Sequence, residues 1–449
     1  MAYTTRLRTT SSSGGTPNRQ RSLAGSNMGA SSHRSAVYPP AVPPEIRRVD
    51  PNELPAWLEA ITTTFLDRPD VVAMTRQVTE HWDFQRVWGA FDGRVVGTLR
   101  TWATELTVPG GGHVPASAVT AVTVLPTHRR RGVMRSMIGA EHDAARDRGE
   151  ILGLLYASEA PIYGRFGYGT GVTTCSWTID RRSTAFQGPP ASGVDFAPIN
   201  VETRDLMRDL YDRHRLAQVG EIRRRDFTFG LDLALIEFAW EPPWKGWVIV
   251  HRDAAGQPDG YARYSAEAKW EERQPRSVLN VQDLVALTDE AYDALWTFLI
   301  EVDLVATVKA ERRSLDERIP WRLTNRRAAK PTEIGDGLWV ALLDIPRALE
   351  ARTYERAGDL VLEVIDAEPG SGRTRVRLEA GSDGVRCAPT TADPDLMVHA
   401  DALGAAYLGG TPLRHAVLAR GYDEGRPGAL VAADALFRTL DEPRCMTFF

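Results

Sequence analysis

Residues 122–135 read Val-Thr-Val-Leu-Pro-Thr-His-Arg-Arg-Arg-Gly-Val-Met-Arg, an apolar extended run that breaks at Pro126 into a basic, glycine-containing turn and then enters a helix. This layout suits a diphosphate. The N–H groups from Arg130 to Val133 have no partner at the start of the helix, and the helix dipole favours negative charge there. His128, Arg129, Arg130, Arg131 and Arg135 surround the turn with positive charge. A nucleotide-bearing ligand is the natural guest.

After the helix comes an apolar strand, Ile151-Leu-Gly-Leu-Leu-Tyr-Ala157, then Ser-Glu-Ala-Pro-Ile-Tyr-Gly-Arg-Phe-Gly-Tyr-Gly169, a short helical turn with a glycine-rich exit. The order strand, basic glycine turn, helix, strand, Tyr-x-x-Phe-Gly resembles the acetyl-CoA core of the Gcn5-related N-acetyltransferases (GNAT). That resemblance implies a pyrophosphate site at the basic turn and a tyrosine beside the thioester sulfur. A Rossmann site needs more glycine in the turn, and a P-loop needs a Gly-Lys-Ser/Thr ending; neither occurs here.

A chain of 449 residues exceeds one compact core, so about three domains are expected. Its 25% charged and 43% hydrophobic residues are ordinary for a soluble globular protein. A net charge of -5 argues against a general nucleic-acid binder. No apolar run approaches the ~20 residues of a membrane span. Cys175, Cys387 and Cys445 are few and far apart, which fits a reducing compartment, and a cytoplasmic location is expected. Residues 1–45 are rich in Ser, Thr, Gly, Pro and Arg with no acid before Glu45, the composition of a disordered tail, with Met28 as an alternative start.

The expected fold class is α/β (α+β), two tandem GNAT-like domains followed by a sterol-carrier-protein-like domain. The first unit spans 46–182 and holds the acetyl-CoA turn. Asp92-Gly93 marks a hairpin between Trp88-Gly-Ala-Phe and Arg94–Trp102, and Met134, Met137, Ile138 and Ala145 recur at helical spacing. After the linker 187–193, a second unit, 193–325, repeats the plan with Thr288-Asp289-Glu290 where the first has Arg-Arg-Arg-Gly. Those carboxylates cap a helix but repel a diphosphate, so this unit reads as a scaffold without CoA. The third unit, 332–449, has a helix through Arg356, short strands and two further helices, and it resembles the sterol-carrier-protein fold.

Together these units resemble the Eis family of actinobacterial N-acetyltransferases over residues 46–449. The most specific carriers are Val-Leu-Pro-Thr-His-Arg-Arg-Arg-Gly (124–132), Ile-Tyr-Gly-Arg-Phe-Gly-Tyr-Gly (162–169), Ala-Leu-Glu-Ala-Arg-Thr-Tyr (348–354) and the terminal Phe449. The resemblance implies that the backbone of Val122, Thr123 and Val124 lines the acetyl and pantetheine arm. It further implies that Arg130, Arg131, Gly132, Val133, Met134 and Arg135 hold the pyrophosphate, and that Ser158 and Glu159 complete the pocket. Tyr163 is then the general acid, the C-terminal carboxylate on Phe449 the general base, and the assembly a homohexamer.

Those roles make chemical sense. An amine that attacks a thioester must shed a proton, and the departing thiolate leaves more easily with one, so the site needs an acceptor and a donor. A tyrosine is a donor with an ordinary pKa of about 10; an α-carboxylate, near roughly 3.5, is a weak base unless burial raises it or water relays the proton. Phe448 and Phe449 supply apolar burial. No covalent nucleophile and no metal are required.

Mycobacterial members of the family it resembles generally place an acidic residue just before the terminal phenylalanine, where Phe448 stands here, and the family has a histidine where Tyr156 stands. Asp67 is the expected remaining acidic group of the acceptor channel, and Trp82 a wall. The expected reaction is acetylation of primary amines, of the aminoglycoside or lysine type, with neither nucleic acid nor membrane span. The competing class is a lipid or small-molecule binding protein that uses the third unit and has a vestigial transferase.

Overall fold

A computed structural model of the chain describes residues 43–188, 192–240, 242–366, 372–419 and 424–449. The expected disordered tail lies outside the described residues except for its last three positions, and Glu45 already opens a strand. The first domain contains β1 (Glu45–Arg48), α1 (Leu54–Thr64), α2 (Val71–Thr79), β2 (Val87–Phe91), β3 (Val95–Thr107) and β4 (His113–Val124). It continues with α3 (Val133–Asp147), β5 (Leu152–Leu155), α4 (Ala160–Tyr163) and β6 (Gly169–Thr170). Helix α3 buries Val133, Met137, Ile138 and Ala145 along one stripe. Glu141 lies on that stripe too, fully buried, and accepts hydrogen bonds from the Trp88 indole (2.6 Å), the Ser117 hydroxyl (2.9 Å) and the Thr101 hydroxyl (3.1 Å). Arg148 pairs with it at 2.5 Å. The carboxylate thereby ties α3 to three strands and fixes the helix start relative to the sheet.

The second domain comprises β7 (Thr173–Asp180), β8 (Val194–Ala197), α5 (Val201–Arg215), α6 (Asp226–Asp232), β9 (Trp247–Arg252) and β10 (Pro258–Glu267). A small hairpin, β11 (Trp270–Glu271) and β12 (Gln274–Pro275), precedes β13 (Ser277–Ala286), α7 (Asp289–Glu301), β14 (Val305–Arg313) and β15 (Ala329–Asp336). Thr288 caps α7 by accepting from the Ala291 N–H at 3.1 Å, and Asp289 pairs with Arg318 at 2.5 Å. This helix start therefore carries acids where α3 carries arginines.

Next, β16 (Trp339–Leu342) returns to the first sheet. The two sheets run β1-β2-β3-β4-β5-β16-β6 and β15-β7-β14-β13-β10-β9-β8. Two borders drawn from the sequence are crossed. Strand β7, assigned to the first unit by the border at 182, pairs with β14 and β15, whereas β16, assigned to the third, sits between β5 and β6. A short apolar strand fits either sheet by its own pattern, and only packing selects the partner.

The third domain contains α8 (Ile345–Glu350), β17 (Gly358–Ile365), β18 (Arg373–Gly381), β19 (Gly384–Pro389), β20 (Leu396–His399), α9 (Ala400–Ala406), α10 (Leu413–Ala419) and α11 (Ala429–Phe437). Its sheet runs β19-β18-β17-β20. Helix α8 stops short of the expected Arg356, and the chain then buries Arg352 against the carbonyls of Tyr407 and, at 3.0 Å, Phe437. The first and third domains share one core, in which Leu106, Ala116, Leu152 and Leu154 meet Leu360, Leu362, Leu403, Tyr407 and Phe449. No helix among the described residues is long and apolar enough to cross a membrane.

Candidate active site

Strands β4 and β5 are parallel neighbours only from Ala116↔Leu152 to Ala118↔Leu154. Strand β5 ends at Leu155 while β4 continues to Val124, so the two diverge and the margin of β4 beyond Ala118 has no strand beside it. On its other side, β4 bulges at Ala121, whose φ is 56°, and the register with β3 shifts between Thr98↔Thr123 and Arg100↔Thr120. Thr98 stabilises the bulge by donating to the Ala121 carbonyl at 2.7 Å, with the Thr123 hydroxyl 2.6 Å away. The opening therefore has Val122, Thr123 and Val124 on one margin and the chain leaving β5 on the other. Backbone amides along an opening like this can bind an extended polar arm.

The basic turn follows directly from β4. Arg130 and Gly132 both take positive φ, 63° and 78°, and Gly132 caps α3 without a side-chain bond. Bonding within the helix begins with Ser136 N–H to the Gly132 carbonyl at 3.0 Å, so the amides before it face outward. The first turn of α3 has no acidic residue, and Arg129, Arg130, Arg131 and Arg135 are exposed. A diphosphate fits this arrangement of outward-facing backbone amides flanked by arginine side chains. His128 is not part of it. Its buried ring approaches Asp92 of the β2–β3 turn at 3.1 Å and braces that hairpin instead.

Beyond β5, Ser158 and Glu159 are exposed and lead into α4, where Tyr163 is 4% exposed. Burial raises the Tyr163 phenol above its ordinary pKa, opposed by a hydrogen bond with Ser158. Tyr168, the competing tyrosine, is committed elsewhere. Its hydroxyl meets His142 at 3.0 Å and packs against Gly153, where any side chain would collide with it.

The chain end forms the remaining wall. Arg444 N–H donates to the Val219 carbonyl at 2.9 Å, and Met446 N–H to the buried Glu221 carboxylate at 3.0 Å. The Thr447 hydroxyl joins Tyr211 (2.7 Å) and Arg224 (2.7 Å), and Arg224 is itself neutralised by Asp283 at 2.5 Å. The terminus is therefore docked. Phe449 lies edge-on to Trp102 (4.7 Å) and to Tyr156 (5.2 Å), and Phe448 packs on Tyr156 at 4.7 Å. A cleft of about 680 Å³, counted out to its mouth, opens beside Phe448 and Phe449. Trp82, Trp102, Phe227 and Phe238 line it with Arg100, Arg224 and Arg225.

The structure gathers the expected residues into two connected groups. Trp82, Phe448 and Phe449 line the cleft; the Val122–Arg135 segment, Ser158, Glu159 and Tyr163 frame the opening of the first sheet, and Tyr156 links the groups. Asp67 does not join them. The chain turns after α1, and Asp67 is exposed there, accepting from the Trp240 indole at 2.6 Å and the Arg68 N–H at 2.8 Å. Sequence reasoning passed over Arg100 and Arg225. The signal for Arg100 was its place on the otherwise apolar or neutral Val96, Thr98, Trp102 face of β3.

Residues 45–171 and 237–345 each match an acetyltransferase (GNAT) domain family, and residues 345–446 match the sterol carrier protein domain family. The fold and the site thus define a GNAT N-acetyltransferase with a sterol-carrier-like C-terminal domain. An uncharacterized N-acetyltransferase from Streptomyces avermitilis is 36% identical over 415 residues, 90% of this chain and 98% of that protein. N-acetyltransferase Eis of Mycobacterium tuberculosis (strain H37Ra) is 33% identical over 320 residues, 70% of this chain and 76% of its own. Eis1 from Mycobacterium abscessus superposes with a TM-score of 0.78 at 32% identity, over 90% of this chain and 100% of that one. The chain belongs to the Eis family of N-acetyltransferases. A GCN5-related N-acetyltransferase from Anabaena variabilis, at 18% identity and a TM-score of 0.76, shares the fold.

Proposed function

We propose that the protein transfers an acetyl group from acetyl-CoA directly to a primary amine, with Tyr163 as general acid and the Phe449 α-carboxylate as general base. The observation that carries this reading is the seating of Phe448 and Phe449 against Tyr156, at the end of the strand that leads to Tyr163. Val122, Thr123 and Val124 hold the acyl arm along the unpaired margin of β4. Arg130, Arg131, Gly132, Val133, Met134 and Arg135 receive the diphosphate, and Ser158 and Glu159 close the pocket.

Acetyl-CoA supplies an activated acyl group: the amine nitrogen bonds the acetyl carbon and the carbon–sulfur bond breaks. Tyr163 gives its proton to the departing sulfur, and the surplus amine proton passes to Phe449. Burial favours the protonated phenol, so Tyr163 remains a donor throughout the neutral range. Exchange with water resets both groups. The third domain serves to position the terminus: its sheet and helices are packed with Leu362, Leu378, Leu403, Tyr407 and Phe437.

A homohexamer in the cytoplasm belongs to the same proposal; the three buried free cysteines support the reducing compartment, and sedimentation tests the assembly. Thiol release from acetyl-CoA across a panel of amines, with calorimetry of coenzyme A binding, tests the reaction. Absence of both binding and release overturns it.

A further inference from the structure

Two of the arginines that line the cleft beside Phe448 and Phe449 form no ion pair among the described residues. Arg100, on β3, is 3% exposed, and its Nε is buried without a hydrogen-bond partner. Its guanidinium lies 4.2 Å from the Trp82 ring centroid and 5.5 Å from that of Trp102. Arg225 comes from the extended segment 222–225 of the second domain, which is fixed to β3 by Arg223 N–H to the Glu105 carbonyl at 3.0 Å. Its guanidinium stacks 4.4 Å from the Trp102 centroid. Among the described residues, neither arginine has a carboxylate partner. Burial, and then the charge of Arg225, hold Arg100 well below its ordinary pKa, and burial brings Arg225 down to about 10.

A guanidinium buried without a counter-charge is costly, and folded proteins avoid it unless a ligand completes the pair. Stacking on indole rings leaves the N–H edges of an arginine free for a planar anion, which it binds with two parallel hydrogen bonds. Asp67, the acidic group that would have attracted a polycation, lies outside the cleft wall. Trp82, Phe227 and Phe238 give the lining much of its apolar surface, beside Val78, Ile222 and Leu231.

We infer that the acceptor is an amine that also bears a carboxylate, drawn to Arg100 and Arg225 with an apolar body among the aromatic side chains. This rests on the acetyltransferase reading above. Polycationic amines are correspondingly poor acceptors, because two like charges face them in a water-poor cleft.

Three para-substituted benzylamines of matched size test it: one with a carboxylate, one with a methyl group and one with a second aminomethyl group. The carboxylate compound is expected to exceed the methyl compound at least tenfold in kcat/KM, with the diamine last. Arg225→Gln and Arg100→Gln should each bring the first ratio close to one, mainly through KM. A diamine preference, or a ratio untouched by both substitutions, overturns the inference and leaves the transferase standing; the second result would mean that the arginines serve the Phe449 carboxylate. Calorimetry with the N-acetylated acid and its methyl analogue gives a readout independent of turnover. Tighter binding of the acid, lost in Arg225→Gln, supports the anion site even if no amine is acetylated, and equal or absent binding overturns it.

Discussion

Tyr156 donates a 2.8 Å hydrogen bond to the carbonyl of Thr447, two residues before the chain end. The segment that leaves β5 is thereby joined to a terminus that arrives through the third domain. The tail forms part of the cleft wall, so the sterol-carrier-like domain that precedes it takes part in building that wall.

The Tyr163 phenol is predicted to act only on the chemical step. Tyr163→Phe should lower kcat by about a hundredfold or more while calorimetry shows unchanged coenzyme A binding. Tyr168→Phe, which loses the His142 contact, should reduce thermal stability and alter kcat far less. Equal turnover in Tyr163→Phe and wild type would remove the phenol from its role.

The second prediction concerns the terminus. A Gly-Ser-Gly extension after Phe449 moves the α-carboxylate away from the cleft but leaves both phenylalanine rings in the sequence. Thiol release should fall at least a hundredfold at saturating amine, with coenzyme A binding retained. A fully active extended enzyme would rule out the carboxylate as the base.

Glu141 is predicted to dominate the stability of the first domain. Glu141→Ala strands three donors in a buried site and leaves Arg148 with Glu150 as its carboxylate partner, a loss of roughly 3–5 kcal/mol by analogy with broken buried ion pairs. Glu141→Gln keeps an acceptor oxygen and should lose less. Urea unfolding followed by tryptophan fluorescence measures both, and a loss below about 1 kcal/mol for the alanine variant would contradict the network's importance.

Acid sensitivity is expected from two histidines. Burial, and then the charge of Arg146, lower His142 to about 4; burial, and then Arg444, lower His214 to about 3. Both fall below the ordinary 6.5, so the unfolded chain binds protons that the folded one refuses. Their stabilising contribution is complete above about pH 6.5 and is lost as pH falls through 6.5 toward 4 for His142 and 3 for His214. The urea midpoint should therefore drop from pH 7.5 to pH 5, and the drop should shrink in His142→Gln.

Much of this was legible in one dimension. The Asp92-Gly93 turn, the Pro126 break, the Gly132 cap and the Thr288 cap are each specified by a few adjacent residues, and each forms where those residues put it. Less legible was where a strand pairs. Strand β7 follows the tyrosine loop in sequence yet joins the second sheet, and β16 returns to the first from beyond the second domain. Asp67 misled for a related reason: an acidic residue near an early helix looks available to a channel until the bend after α1 is seen to face it outward.

The sequence by itself determined the β4 to α3 segment, its basic glycine turn and the tyrosine-bearing exit from β5, because backbone preference and capping act over a handful of neighbouring residues. Only the tertiary structure decided the cleft beside Phe448 and Phe449. Its walls come from residues 78–82, 100–102, 222–238 and 447–449, and the charge of Arg100 or Arg225 acquires meaning only once burial removes water and no carboxylate arrives to replace it.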